Sequence, residues 1–391
     1  VKALTHDHSD PRSVPAFFAV HLEAVEVYRV ELSLVEPMVT ATGTHLRRPV
    51  LIVRVRTTSG VGYGECAALI DPTYTEEYTD GAAAILSDQL IPRLLAGGSR
   101  IDTAQHGLAR LAPVRGHSMA KAALEMALLD AQLHEEARSL AEFLGATRAF
   151  VEAGATIGLS NEASTSRAAE KAIQAGYKRI KAKIAPGHDV GVIARLRERH
   201  PLLGLVVDAN GAFDATDSAH QAALDQLDGF GLIAIEQPFS PEDFIGHARL
   251  SARLATPVVL DESITNEGTL EVALELHAMD GISVKPARLG GLIVGRNVHD
   301  RCVGEGVHLA IGGMFETGIG RAAQLALGAM SGFDLPGDLG GSDRYFAKDL
   351  TPPFLVVNGS LEVPNGVGLG IEVDVEMLEA TAVAKATFRA P

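Results

Sequence analysis

A chain of 391 residues is longer than one ordinary domain, and a composition of 47% hydrophobic and 21% charged residues buries a large core and excludes general disorder. The formal net charge of -15, with no long basic run, excludes nucleic acid and anionic membrane as partners. Cys66 and Cys302 are too few and too far apart for a disulfide framework or a thiolate zinc site, so a reducing compartment, the cytoplasm, is expected.

The first 20 residues, VKALTHDHSDPRSVPAFFAV, carry neither a basic n-region nor a long apolar h-region and read as a loose tail; no apolar stretch reaches membrane-spanning length. VEVYRVEL, VLIVRVRT and VGYGEC follow as strand-like runs, the first two separated by the polar MVTATGTHLRRP and the last two by a TSG turn. They predict an antiparallel meander. Residues 75–95 and 118–136 turn helical, the second with Ser118 as N-cap.

After about residue 150, short apolar runs alternate with amphipathic helical stretches: GATIGL, RIKAKI, LGLVVDAN, LIAIEQP, PVVLDES, GISVKPA and HLAIGG. This predicts parallel strands with crossover helices. The runs end at Lys183, Asp208, Glu236, Asp261 and Lys285, spaced 25, 28, 25 and 24 residues apart, as one strand, one helix and two turns require. An open doubly wound sheet gives similar spacing, but no Gly-rich phosphate loop follows the first strand, so a barrel is the better reading.

Each run carries an ionisable group at its C-terminal end, the face where barrel enzymes work. Asp208, Glu236 and Asp261 would converge as oxygen ligands of a hard cation, Mg²⁺ or Mn²⁺; the alternative is that each acid caps the helix that follows it. In RIKAKI, Ile180, Ala182 and Ile184 share one face and Arg179, Lys181 and Lys183 the other, which puts both lysines inside the barrel unless the strand is an exposed edge. Mutual repulsion of the lysines is expected to lower their proton affinity toward that of a base. Lys285, about three strands further round, would face Lys183 across the mouth. Such a set suits removal of a proton next to a carboxylate, with cationic charge on the oxygens that turn negative. His277, His299 and His308 read as structural or surface groups, the first two in helices and the third at the wrong end of its strand.

KAK at 181–183, DAN at 208–210, IEQP at 235–238, LDES at 260–263, VKPARLGG at 284–291 and GGMFETGIG at 312–320 together resemble the enolase superfamily. Within its muconate-lactonizing subgroup, the likeness is to the branch of o-succinylbenzoate synthase and N-acylamino acid (N-succinylamino acid) racemase. The resemblance implies an α/β fold, a (β/α)7β-type TIM-like barrel (residues 146–345), with an α+β N-terminal capping domain (21–145) completed by the C-terminal segment (346–391). It implies Lys183 and Lys285 as acid and base on opposite faces of the substrate and Lys181 as an auxiliary that touches the substrate carboxylate. Asp208, Glu236 and Asp261 would be the metal ligands, and Asn210 and Glu262 would support them. Thr156, Asn210, Gly313, Met314 and Glu316 would line the substrate pocket, and a loop around Thr40 to Thr44 would close it. Arg288 resembles the racemase-competent members. The last strands carry GGMFE where dipeptide epimerases carry D-x-D, and no His-Asp dyad suits the mandelate-type enzymes.

The expected activity is racemisation of N-acyl (N-succinyl) amino acids by a two-lysine mechanism. The alternatives are o-succinylbenzoate synthesis from a succinyl cyclohexadiene carboxylate, for menaquinone; muconate-type cycloisomerisation; and, from another class, a non-catalytic structural barrel. The family suggests a homo-oligomer built from dimers.

Overall fold

The computed structural model describes residues 19–40 and 43–391. The proposed tail falls outside them except for Ala19 and Val20, and Val20 is already a buried strand residue. Of the proposed Thr40 to Thr44 loop, residues 41 and 42 lie outside the described residues.

The N-terminal sheet is built from β1 (Val20–Thr40), β2 (Gly43–Thr57), β3 (Val61–Cys66) and β4 (Arg100–Ile101), with the chain's last strand on its edge. β1 and β2 pair antiparallel along their length, so residues 38–40 and 43–49 of the polar stretch read as a connection belong to the strands themselves. The helical region read over 75–95 consists of Thr79–Ile85, a π-helical turn and Ile91–Ala96.

Helix Ser118–Glu135 is buried over nearly its whole circumference because it lies between this sheet and the barrel. It approaches β3 at Gly62 and Gly64, where a Cβ would stand 2.2 Å from Ala127 O and 2.0 Å from Ala123 O. Only glycine permits that approach. Ser118 is not its N-cap: His117 holds that position in a left-handed conformation, and the buried Glu77 carboxylate accepts from Met119 N and Ala120 N instead.

Near the helix's C-terminus, Asp130 accepts from Tyr63 N and Leu369 N, and His134 Nδ1 stands 3.4 Å from Asp130 Oδ1. Hydrogen bonding to Asp130 raises the His134 pKa to about 9, against burial, which opposes it. Because the folded value lies above the unfolded 6.5, this contribution is complete below about pH 6.5 and is lost as pH rises through about 9. The Tm gap between the natural chain and His134→Asn is therefore expected to be widest near pH 6 and to close by pH 10, as thermal melts across about that range will show.

Beyond the short β5 (Phe150–Glu152), seven parallel strands follow: β6 (Ala155–Ile157), β7 (Arg179–Lys183), β8 (Gly204–Asp208), β9 (Ala234–Glu236), β10 (Val258–Leu260), β11 (Gly281–Val284) and β12 (His308–Ile311). β13 (Ser360–Glu362) pairs with β5, and β14 (Ala382–Arg389) runs antiparallel to β1. The parallel strands stand side by side in sequence order, with Ile180 and Ala182 buried on the helix side.

An irregular segment fills the eighth position. Leu335 N and Asp338 N bond to Leu309 O and Ile311 O of β12 (3.0 and 2.8 Å), while Gly154 N, just before β6, bonds to Leu339 O (3.1 Å). The sheet thereby closes into a TIM-like barrel. Among the described residues no helix is long and apolar enough to cross a membrane.

Candidate active site

The register sets Lys183 beside Asp208 and Asp208 beside Glu236, while Asp261 and Lys285 each directly follow the last residue of their own strand. All five therefore meet at one end of the barrel. The capping alternative fails, because the helices after β7, β8, β9 and β10 are capped by Asp189, Asp217, Asp243 and Asn266. β11 lies four places from β7 rather than three, and in a barrel of eight positions that is diametrically opposite.

Lys181 is buried at the centre. Its Nζ lies 2.8 Å from Glu236 Oε1 and 3.0 Å from Asp208 Oδ2, and it also bonds Asp338 Oδ2. Lys183 donates to Asp208 Oδ2 (2.7 Å) and Asn210 Oδ1 (2.5 Å), and Asn210 donates in turn to Glu262 (2.8 Å). Its side chain is 28% exposed, against 4% for Lys181 and 7% for Lys285, so it is the lysine open to the mouth. On the far side Lys285 Nζ donates to Asp261 Oδ2 (2.7 Å), and Arg288 Nη1 takes the other oxygen of the same carboxylate. Arg288 is fixed further by Ile264 O and Ser283 O (2.7 and 2.6 Å).

These contacts reverse the expected direction of the Lys181 pKa. Burial pushes Lys181 down, but Asp338, Glu236 and Asp208 outweigh it and hold the group well above the usual lysine range. For Lys285, likewise, burial is outweighed by Asp261 and Tyr74. At Lys181 and Lys285 the neighbouring carboxylates decide the sign.

The spacing also suggests three acids turned toward one another. Among the described residues no three His, Cys, Asp or Glu side chains form a ready metal cluster, because each acid is turned to an ammonium or guanidinium partner. The donor set nevertheless fits a hard cation in its chemistry: three carboxylates at the ends of adjacent strands. Burial pushes Glu236 up to about 8, and the negative charge of Asp208, Asp338 and Asp261 adds to that shift against Lys181. A positive ion beside it would reverse this shift.

The remaining sequence-derived positions are spread around the rim. Thr156 is half-buried and pairs with Lys181 in the register, and its carbonyl accepts from Arg344 Nη2 (2.8 Å). Gly313 and Met314 follow β12, and the Glu316 carboxylate is turned inward, accepting from Met314 N (2.9 and 2.8 Å) and from Gln324. It holds the loop. As expected, His308 stands at the far end of its strand, bonded to Asp334, and His299 lies within a helix; His277 lies just past one, at φ 50°.

Sequence reasoning missed Asp338, the counter-ion of both Lys181 and Arg179 (3.1 Å to the latter), and Tyr74. The Tyr74 hydroxyl donates to Asp261 (3.1 Å) and accepts from Lys285 and Arg288 (3.2 and 2.8 Å). The eighth position reads Asp338-Leu339-Gly340 and so brings one acid to the site.

Comparison with known proteins gives a concordant result. Residues 24–145 match the mandelate racemase / muconate lactonizing enzyme N-terminal domain, and residues 164–377 match the enolase C-terminal domain-like family. The chain is 43% identical over 366 residues to an N-succinylamino acid racemase of Amycolatopsis, covering 93% of this chain and 98% of that one. It is 36% identical over 361 residues to the o-succinylbenzoate synthase of Bacillus subtilis, covering 92% and 96%. A solved structure described as a probable mandelate racemase from Alicyclobacillus acidocaldarius superposes with a TM-score of 0.88 at 35% identity, over 94% of this chain and 99% of that one.

Proposed function

Since this chain belongs to the enolase superfamily, an enzyme with paired mandelate racemase / muconate lactonizing domains, we propose that it racemises N-succinyl amino acids by moving the α-proton between Lys183 and Lys285. The observation that carries this reading is the placement of two lysines on diametrically opposed strands, with carboxylates on the strands between them. One lysine takes the proton from one face of the α-carbon, and the other returns a proton to the opposite face. Lys181 is the buried cation that orients the substrate carboxylate. Residues 21–145 and 346–391 act as a cap over the mouth.

Asp208, Glu236 and Asp261 would hold Mg²⁺ or Mn²⁺. When bound, the ion would supply positive charge to the carboxylate oxygens that become negative as the α-proton leaves, and would loosen the hold of Asp208 and Asp261 on Lys183 and Lys285. Asp208, Glu236, Asp261, Glu262 and Asp338 face Lys181, Lys183, Lys285, Arg288 and Arg179, so the formal charges cancel. The dianion of an N-succinyl amino acid offsets a dication and keeps that balance.

The synthase relatives favour a second activity in the same pocket, dehydration of a succinyl cyclohexadiene carboxylate to o-succinylbenzoate, with Lys183 as the base and Lys285 only as a stabilising cation. Arg288 separates the two. It shares Asp261 with Lys285, so its loss disturbs the lysine that must exchange a proton only in racemisation. Arg288→Ala is expected to lose at least about tenfold more kcat/KM in racemisation than in dehydration, a gap of ~1.4 kcal/mol. Equal losses in parallel assays would defeat this assignment.

A further inference from the structure

The segment that carries Lys285 is anchored from the cap by a carboxylate with no part in the chemistry so far described. Beyond β11 the chain passes through Lys285 into the single turn Pro286–Leu289, then Gly290 and Gly291, then helix Leu292–Glu305. That helix begins without a side-chain cap of its own. Glu125, from the middle of helix Ser118–Glu135, supplies one: its Oε2 accepts from Leu292 N (2.5 Å) and its Oε1 from Ile293 N (2.9 Å).

The packing leaves no slack. Glu125 is fully buried, and a Cβ on Gly291, whose φ is 146°, would stand 2.4 Å from its carboxyl carbon. From Gly291 the bonding runs straight back to the lysine: Gly291 N and Gly290 N both donate to Pro286 O (2.9 and 3.0 Å), and Leu289 N donates to Lys285 O (3.1 Å). Arg288 lies within the same turn.

Among the described residues Lys183 has no such tie. The loop after β7 is held by barrel residues: Ile184 N donates to Asp208 O, Gly187 N to Asp189, and the His188 ring bonds Ser160 O.

We propose that Glu125 is a positioning residue for one face of the reaction, fixing Lys285 and Arg288 against the cap while leaving Lys183 untouched. This rests on the two-lysine reading above. A carboxylate is required because two backbone N–H groups at the positive end of a helix need two acceptor oxygens. Glutamine offers one oxygen and turns an NH₂ group toward the other N–H.

The test uses the full chain with Mg²⁺ and follows α-proton exchange of N-succinyl-L- and N-succinyl-D-phenylglycine separately in D₂O. In Glu125→Gln, exchange of the enantiomer that Lys285 deprotonates should fall by about tenfold or more, while that of the other enantiomer changes by less than about threefold. Asp130→Asn is the matched control, a buried carboxylate on the same helix that also accepts two backbone N–H groups, but from β3 and Leu369. It should lower Tm without moving the enantiomer ratio. If Glu125→Gln does not fold, Glu125→Asp, which withdraws the carboxylate by one methylene, is read in the same way. Equal losses on both faces, or an equal shift in the Asp130 control, overturn the proposal. If the natural chain itself exchanges one enantiomer or neither, the two-lysine reading fails and takes this proposal with it; that outcome is visible before any variant is made.

Discussion

In Lys285→Ala, racemisation of an N-succinyl amino acid is expected to fall by ~10²–10⁴-fold, the usual worth of a positioned general acid or base. Lys183→Ala should do the same for the opposite reason, each variant losing a proton carrier on one face only. The signature is asymmetric. With each enantiomer incubated separately in D₂O, Lys285→Ala should still exchange the α-proton that faces Lys183, and Lys183→Ala the α-proton that faces Lys285. The structure makes such a separation feasible because the two lysines share no partner among the described residues: Lys183 rests on Asp208 and Asn210, and Lys285 on Asp261 and Tyr74. Either variant racemising within about tenfold of the natural chain would contradict a two-base mechanism.

The largest effect on stability is expected at Asp338. Its carboxylate is buried between Lys181 and Arg179, which are themselves almost without solvent contact. Asp338→Asn keeps the volume and removes the charge, leaving Lys181 without the carboxylate that does most to hold it protonated and Arg179 without a counter-ion. Breaking a buried pair in this way costs ~3–5 kcal/mol, because the remaining charge stays desolvated. Urea unfolding at neutral pH should show that loss; a change below about 1 kcal/mol would mean that the pair is worth no more than a surface one.

How much of this was legible in the sequence depended on how each residue is carried. Lys181, Lys183, Asp208, Glu236, Asp261 and Lys285 stand at the ends of apolar runs whose spacing marks successive strands, so their convergence could be read before any fold was known. Their pairing could not. Spacing gives convergence but not rotamers, and the acids turn to the lysines rather than to one another.

Asp338 sits in LPGDLGG, which has the composition of a turn; its segment fills the eighth barrel position without regular strand structure and so gives no alternating signal. Tyr74 comes from an irregular cap loop more than 180 residues before its partner Asp261. Glu77 displaced Ser118 as the cap of its helix for the same reason, since a cap supplied from elsewhere in the chain leaves no local motif. Glu125 could have been suspected: a lone acid within SMAKAALEMALL, on a helix buried on all sides, must find a partner inside the protein.

The most direct test of the central claim is proton NMR of N-succinyl-L-phenylglycine in D₂O with the enzyme and Mg²⁺, with optical rotation followed in the same sample. Two lysines serving opposite faces predict that the α-proton signal disappears while the rotation falls to zero. Loss of the signal with full rotation retained would contradict them, leaving a single working base.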